Sequence, residues 1–165
     1  MAEAISQAGI AQMAWDGRLD AERNYLYYAA LSDRYRRQHL WLISAVAVTS
    51  FLAGSSFVID VLPPWTSAVL AMLASLLALA LITLDPSMKS AKAESAKQHF
   101  RSISDEWKYL WWHQYEGDAE AKARMLDVRT MSGPDVPVAV DDKLNNACHD
   151  RAIAIVRAEY SVPAA

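Results

Sequence analysis

Cys148, His149 and Asp150 stand consecutively. These are the residue types from which a thiol nucleophile, its base and an orienting carboxylate are built. Neighbouring side chains on a helix point about 100° apart, so the three cannot converge as they stand. Cys148 is the chain's one cysteine, which precludes an intrachain disulfide and fits a reducing compartment. The sequence has no HExxH, no paired-cysteine zinc spacing, and only five glycines, none set out as a phosphate loop. His39 and His113 read as interfacial or seam-edge residues. Glu120 with Arg124, and Asp118 with Lys122, have the spacing of surface ion pairs on a helix. The expectation is a non-enzymatic protein with no catalytic residue, cofactor or metal ion.

The most unusual chemistry is aromatic. Glu106–Tyr115 reads EWKYLWWHQY. On a helix, Trp107 and Trp111 share one face while Tyr109 and Trp112 fall off it. Off-face aromatics need cover from a core, a second copy or a partner.

Two apolar segments must be placed before that stretch can be. Residues 40–59, LWLISAVAVTSFLAGSSFVI, and 65–84, WTSAVLAMLASLLALALITL, contain no Asp, Glu, Lys, Arg or His. Each has the ~20 residues that a helix needs to cross a hydrocarbon core. Asp60-Val61-Leu62-Pro63-Pro64 between them is too short and too proline-rich to be anything but a turn. The expected fold class is therefore an all-α membrane protein built on a two-span transmembrane helical hairpin. A buried hairpin in a soluble protein is the alternative, but two successive charge-free helices of this length suit it poorly.

Arg34, Arg36 and Arg37 precede the first span, and Lys89, Lys92, Lys97 and Arg101 follow the second; the turn has no basic residue. The positive-inside rule then puts both termini in the cytoplasm, with Trp41 and Trp65 at the interfaces. The net charge of −3 gives no case for a nucleic-acid surface. Small and hydroxyl residues recur within the spans. Ser44, Thr49, Ser50 and Gly54 in the first, and Ser67, Ala71 and Ser75 in the second, are candidates for transmembrane packing or for facing a pore. The spans lack the ionisable residues that mark ion and proton routes, which argues against a transporter.

The expected layout is an N-terminal amphipathic segment (1–18), with a break at Asp16-Gly17, and a cytoplasmic helix (19–39). Transmembrane helices follow at 40–61 and 65–84, then a long cytoplasmic helix (87–128), a loop (129–140) and a C-terminal helix (141–160). Asp85 or Ser87 can cap the long helix, and Asp141 or Asp142 the last one. Ala21, Tyr25, Tyr28, Ser32 and Tyr35 recur at four- and three-residue steps. So do Ala93, Ala96, Phe100, Ile103, Trp107 and Leu110. The two seams predict an antiparallel coiled stalk, with Tyr25, Tyr28 and Tyr35 packed on Phe100, Ile103 and Trp107, or the joining of copies into a homo-oligomer. Trp111 and Trp112 complete the candidate assembly or partner contacts.

The Tyr25-Leu26-Tyr27-Tyr28 and Asp33-Arg34-Tyr35 stretches lead into two close spans, followed by a helix with Phe100 and Glu106-Trp107 through Trp112. Over roughly residues 15–128 this resembles the SLATT domains, two-span effector domains of bacterial nucleotide-second-messenger and related conflict systems. The resemblance implies an effector of the bacterial inner membrane that oligomerises and forms a pore or breaches the bilayer in anti-phage defence. Its trigger would be a sensor or nucleotide-signalling protein encoded nearby. It supplies no catalytic residue. A membrane anchor recruiting a soluble partner through its cytoplasmic helices, or a small housekeeping channel subunit, are the other readings.

Overall fold

A computed structural model describes residues 7–58, 63–113, 117–134 and 141–160. The described residues form five helices: α1 (Gln7–Val58), α2 (Pro64–Leu84), α3 (Pro86–Trp112), α4 (Ala119–Met131) and α5 (Asp142–Tyr160). No strand occurs among them. The chain divides into two compact units, one of Met1–Ala30 with Lys92–Ala165, the other of Leu31–Ala91.

The first unit packs the N-terminal half of α1 with most of α3, and with α4 and α5. Partner residues give the directions. Tyr28 stacks on Phe100 with centroids 5.5 Å apart and planes 4° apart. Arg101 lies 5.3 Å over the Tyr25 ring, and Gly17 abuts the Trp107 indole. α3 thus runs antiparallel to α1. Glu106 pairs with Arg129 at 2.5 Å, and the Trp107 indole N–H donates to Thr130 at 3.1 Å, so α4 returns antiparallel along α3. The Asp141 backbone N–H donates to the Tyr27 hydroxyl, while Tyr160 at the other end of α5 reaches Trp15 and Trp111. The four segments alternate in direction, as in an up-down helical bundle.

Ala93, Ala96, Phe100, Ile103, Trp107 and Leu110 are all buried, so the three- and four-residue steps of α3 form one packed face. Phe100, Ile103, Trp107 and Leu110 share a core with Ile10, Ala14, Ala21, Ala119, Ala123 and Leu126.

Three expectations need correction. The N-terminal segment is not separate, because α1 runs unbroken through Asp16-Gly17. The helix tolerates Gly17 because the missing side chain makes room for Trp107. The expected 87–128 helix is two helices, with Gly117 and Asp118 in the turn that lets Leu126 fold back into the core. Nor are α1 and α3 a free two-helix stalk: α4 shares their core, Glu159 of α5 pairs with Arg18 and Lys108, and Tyr35 belongs to the other unit.

The second unit holds the end of α1, all of α2 and the start of α3. Pro63 and Pro64 lie at the start of α2, where a missing N–H costs nothing, and the Pro63 carbonyl accepts from the Thr66 N–H at 2.9 Å. Asp85 ends α2 in the left-handed region, with φ 39°. Its carboxylate then accepts from the Ser87 hydroxyl and the Met88 N–H, capping α3 behind Pro86. The helical run that begins at Trp65 contains a stretch long and apolar enough to cross a membrane, and only 11% of that stretch is buried. In the apolar part of α1, Leu40, Trp41, Ile43, Val48, Phe51 and Leu52 are exposed. Residues 59–62, which include the end of the expected first span and most of the turn, lie outside the described residues.

Candidate functional site

Ser104 lies buried beside the apolar seam of α3, and a small charged cluster forms there. Arg18 of α1 is 2% exposed. Its guanidinium donates to the Ser104 hydroxyl, pairs with Glu22 at 3.5 Å and with Glu159 of α5 at 3.0 Å. Ser104 donates in turn to Glu22 at 2.7 Å. Lys108, one turn along α3, holds the other Glu159 oxygen at 3.1 Å. Two cations thus face two carboxylates. An interior tolerates such a group only when the charges balance and the lone pairs are met.

Burial opposes the charge on Glu159, but the hydrogen bonds and charges of Lys108 and Arg18 outweigh it and hold the carboxyl below its ordinary 4.5. Burial pushes the neighbouring Tyr160 phenol up to about 12, with Arg18 opposing. Tyr160 closes the junction with aromatics. Its ring stacks on Trp111 at 4.4 Å and 19°, lies 5.5 Å from Trp15, and meets Trp112 edge-on at 6.4 Å.

The expected assembly residues therefore divide. Phe100, Ile103 and Trp107 are core residues of one bundle. Tyr25 and Tyr28 pack at its edge, and Trp111 is half-buried under Tyr160. Trp112 remains 59% exposed. Tyr109 and Met125, also exposed, flank a shallow groove between α3 and α4 with Lys122 at its rim. This is the part of the aromatic stretch left for a partner.

In the second unit, Ser44, Ser50, Gly54, Ala71 and Ser75 are exposed, Thr49 is half-buried and Ser67 is buried. Thr49 and Ser75 spend their hydroxyls on carbonyls one turn back, Thr49 on Ala45 at 2.8 Å and Ser75 on Ala71 at 2.9 Å. Such self-satisfaction lets a hydroxyl face an apolar surround. A Cβ at Gly54 would meet nothing within 4 Å.

Cys148 lies buried on the inner face of α5 with Ala152 and Val156. Burial raises its thiol, with Arg151 opposing. His149 and Asp150 follow it around the helix, and no hydrogen bond joins the three among the described residues. No group of His, Cys, Asp and Glu suited to a metal ion occurs among the described residues.

Sequence reasoning missed the Arg18–Glu22–Ser104–Glu159 junction. One signal was available. Arg18 and Glu22 stand four apart on the same stripe as Ala14, Ala21 and Tyr25, so the buried face of α1 had to carry charge.

No family model, curated protein or solved structure matches the chain.

Proposed function

We propose that this chain is a two-span membrane effector of the SLATT type. Residues 40–61 and 65–84 form a transmembrane hairpin, the helical bundle stays in the cytoplasm, and copies assemble through the hairpins to breach the bilayer when the bundle is engaged. The observation that carries the reading is the exposed apolar surface of the second unit. Phe51, Trp65, Met72 and Ile82 are each about two-thirds exposed or more, with no charged residue in 40–59 or 65–84. Water does not tolerate such a surface, whereas hydrocarbon matches it.

Two further observations support it. The hydroxyls of Thr49 and Ser75 are satisfied on their own helices, as lipid demands. The exposed Ser50 and Gly54 offer a small-residue face on which a second copy can pack closely. Under this reading the role of the bundle is to receive a signal.

Expression with simultaneous recording of membrane potential tests the reading. The expected result is depolarisation when the chain is overproduced or its genomic neighbours are triggered. A steady potential in both conditions overturns the pore. A second reading, a membrane anchor for a soluble partner, draws on the exposed Tyr109, Trp112 and Met125. It predicts a steady potential together with a partner whose retention is lost in Trp112→Ala.

A further inference from the structure

Arg18 and Glu22 are buried charges, and one end of α5 completes their site. Glu159 takes Arg18 at 3.0 Å through one oxygen and Lys108 at 3.1 Å through the other. Tyr160 stacks on Trp111 and approaches Trp15. Without Glu159, Arg18 keeps only Glu22, and Lys108 keeps no carboxylate partner among the described residues. A buried guanidinium that loses an acceptor is costly. This face of α1 and α3 therefore selects a segment that brings a carboxylate, with a ring beside it for Trp15 and Trp111.

The attachment of α5 is modest. Its buried side chains are Cys148, Ala152 and Val156, which are small and hide little apolar area. At the junction, Arg18 Nε and the Tyr160 hydroxyl are buried with no hydrogen-bond partner among the described residues. Leaving a junction with unmet polar atoms costs less than leaving a satisfied one. The stretch 132–141 joins α4 to α5 with ten residues and spans at most ~33–36 Å. Two helices side by side measure ~20–24 Å, so the stretch reaches an adjacent bundle.

We propose that α5 is exchanged between copies, the Glu159–Tyr160 end of one chain seating on Arg18, Lys108, Trp15 and Trp111 of the next. An identical segment brings the same carboxylate and ring, so the contacts of the closed state are reproduced. Concentration decides which state wins. A tether of this length holds a chain's own α5 at an effective concentration on the order of millimolar. Dilute copies keep their own helix, and copies crowded to that density trade it. The proposal rests on the reading that copies assemble, which supplies the crowding.

The test uses the native ion pair, which a carbodiimide joins as an amide. Isotopically light and heavy full-length chains are mixed in equal amounts in detergent, reconstituted in vesicles at high and low density, and coupled. Mass spectrometry is expected to show mixed light–heavy Lys108–Glu159 links at roughly half of the total at high density, the value for random pairing, and severalfold fewer at low density. The Lys122–Asp118 pair, 2.9 Å apart within one turn of α4, should stay unmixed. Unmixed Lys108–Glu159 links at high density overturn the proposal, because α5 then stays on its own bundle. Equally frequent mixed Lys122–Asp118 links overturn it too, since the coupling would be collisional. The absence of any Lys108–Glu159 link overturns it by removing the junction. In membranes of expressing cells, Lys108 joined to a carboxylate of another protein would give the site to a foreign segment and overturn the exchange. Oligomer bands after amine crosslinking separate the two layers of argument. Monomer at every density defeats assembly and exchange together; oligomers with unmixed links defeat exchange alone.

Discussion

Gly17 and Glu159 show how single residues set the bundle. A Cβ on Gly17 would enter the Trp107 indole, and Trp107 is only 1% exposed, so neither side can yield. Gly17→Ala should therefore destabilise the bundle by about 1–3 kcal/mol, as overpacking does, despite alanine's better helix propensity. Denaturant unfolding followed by tryptophan fluorescence checks this; a stabilised variant would contradict the packing. Glu159 and Tyr160 make stability depend on pH at both extremes. Glu159 is depressed in the fold, so its contribution is complete above the ordinary 4.5 and is lost as pH falls through its lower folded value. Tyr160 is raised. Above 10.0 the unfolded chain loses the phenolic proton while the folded chain keeps it to about 12, so stability declines across that window. The melting temperature should therefore be flat near neutrality and drop on both sides, the acid loss shrinking in Glu159→Gln and the alkaline loss in Tyr160→Phe. Unchanged profiles in both variants would count against the junction.

At the scale of elements, α5 is the helix whose attachment can be read separately. It meets the bundle through the small face of Cys148, Ala152 and Val156 and through the ion pairs of Glu159. Cys148 is its built-in reporter, a lone thiol that reagents reach only when α5 lifts. Glu159→Gln removes a half-exposed anchor worth about 1 kcal/mol, so alkylation of Cys148 should quicken roughly fivefold. A rate equal to that of the unaltered protein would show that Glu159 does not hold α5. The same helix marks where the sequence was legible. The α3 seam could be read because Phe100, Ile103, Trp107 and Leu110 are large and strictly spaced. The α5 face could not, because alanine and cysteine carry little hydrophobic signal. The return of α4 was hidden because residues 87–128 contain no internal proline, and the turn rests on Gly117 and Asp118, which a helix pattern can absorb. The charged junction was hidden for a different reason: Arg18 and Glu22 look solvated until Ser104 and Glu159 arrive from residues far along the chain.

At the scale of the whole molecule, the two units present surfaces with opposite demands. The bundle buries Phe100 and Trp107, while the second unit exposes Phe51, Met72, Leu76 and Ile82. If copies pack through the small face of the first span, Gly54→Ile should leave the bundle's unfolding unchanged yet reduce crosslinked oligomer severalfold in membranes. Undiminished crosslinking would move the assembly contact elsewhere. All of this depends on the chain crossing the bilayer twice. The most direct measurement is labelling of intact cells with a membrane-impermeant maleimide, using Asp60→Cys in a Cys148→Ser background. The account predicts a membrane-bound protein labelled at position 60 without permeabilisation, while a cysteine at Ser132 in the same background is labelled only after it. A protein found in the soluble fraction, or one labelled at position 60 only after permeabilisation, would contradict it.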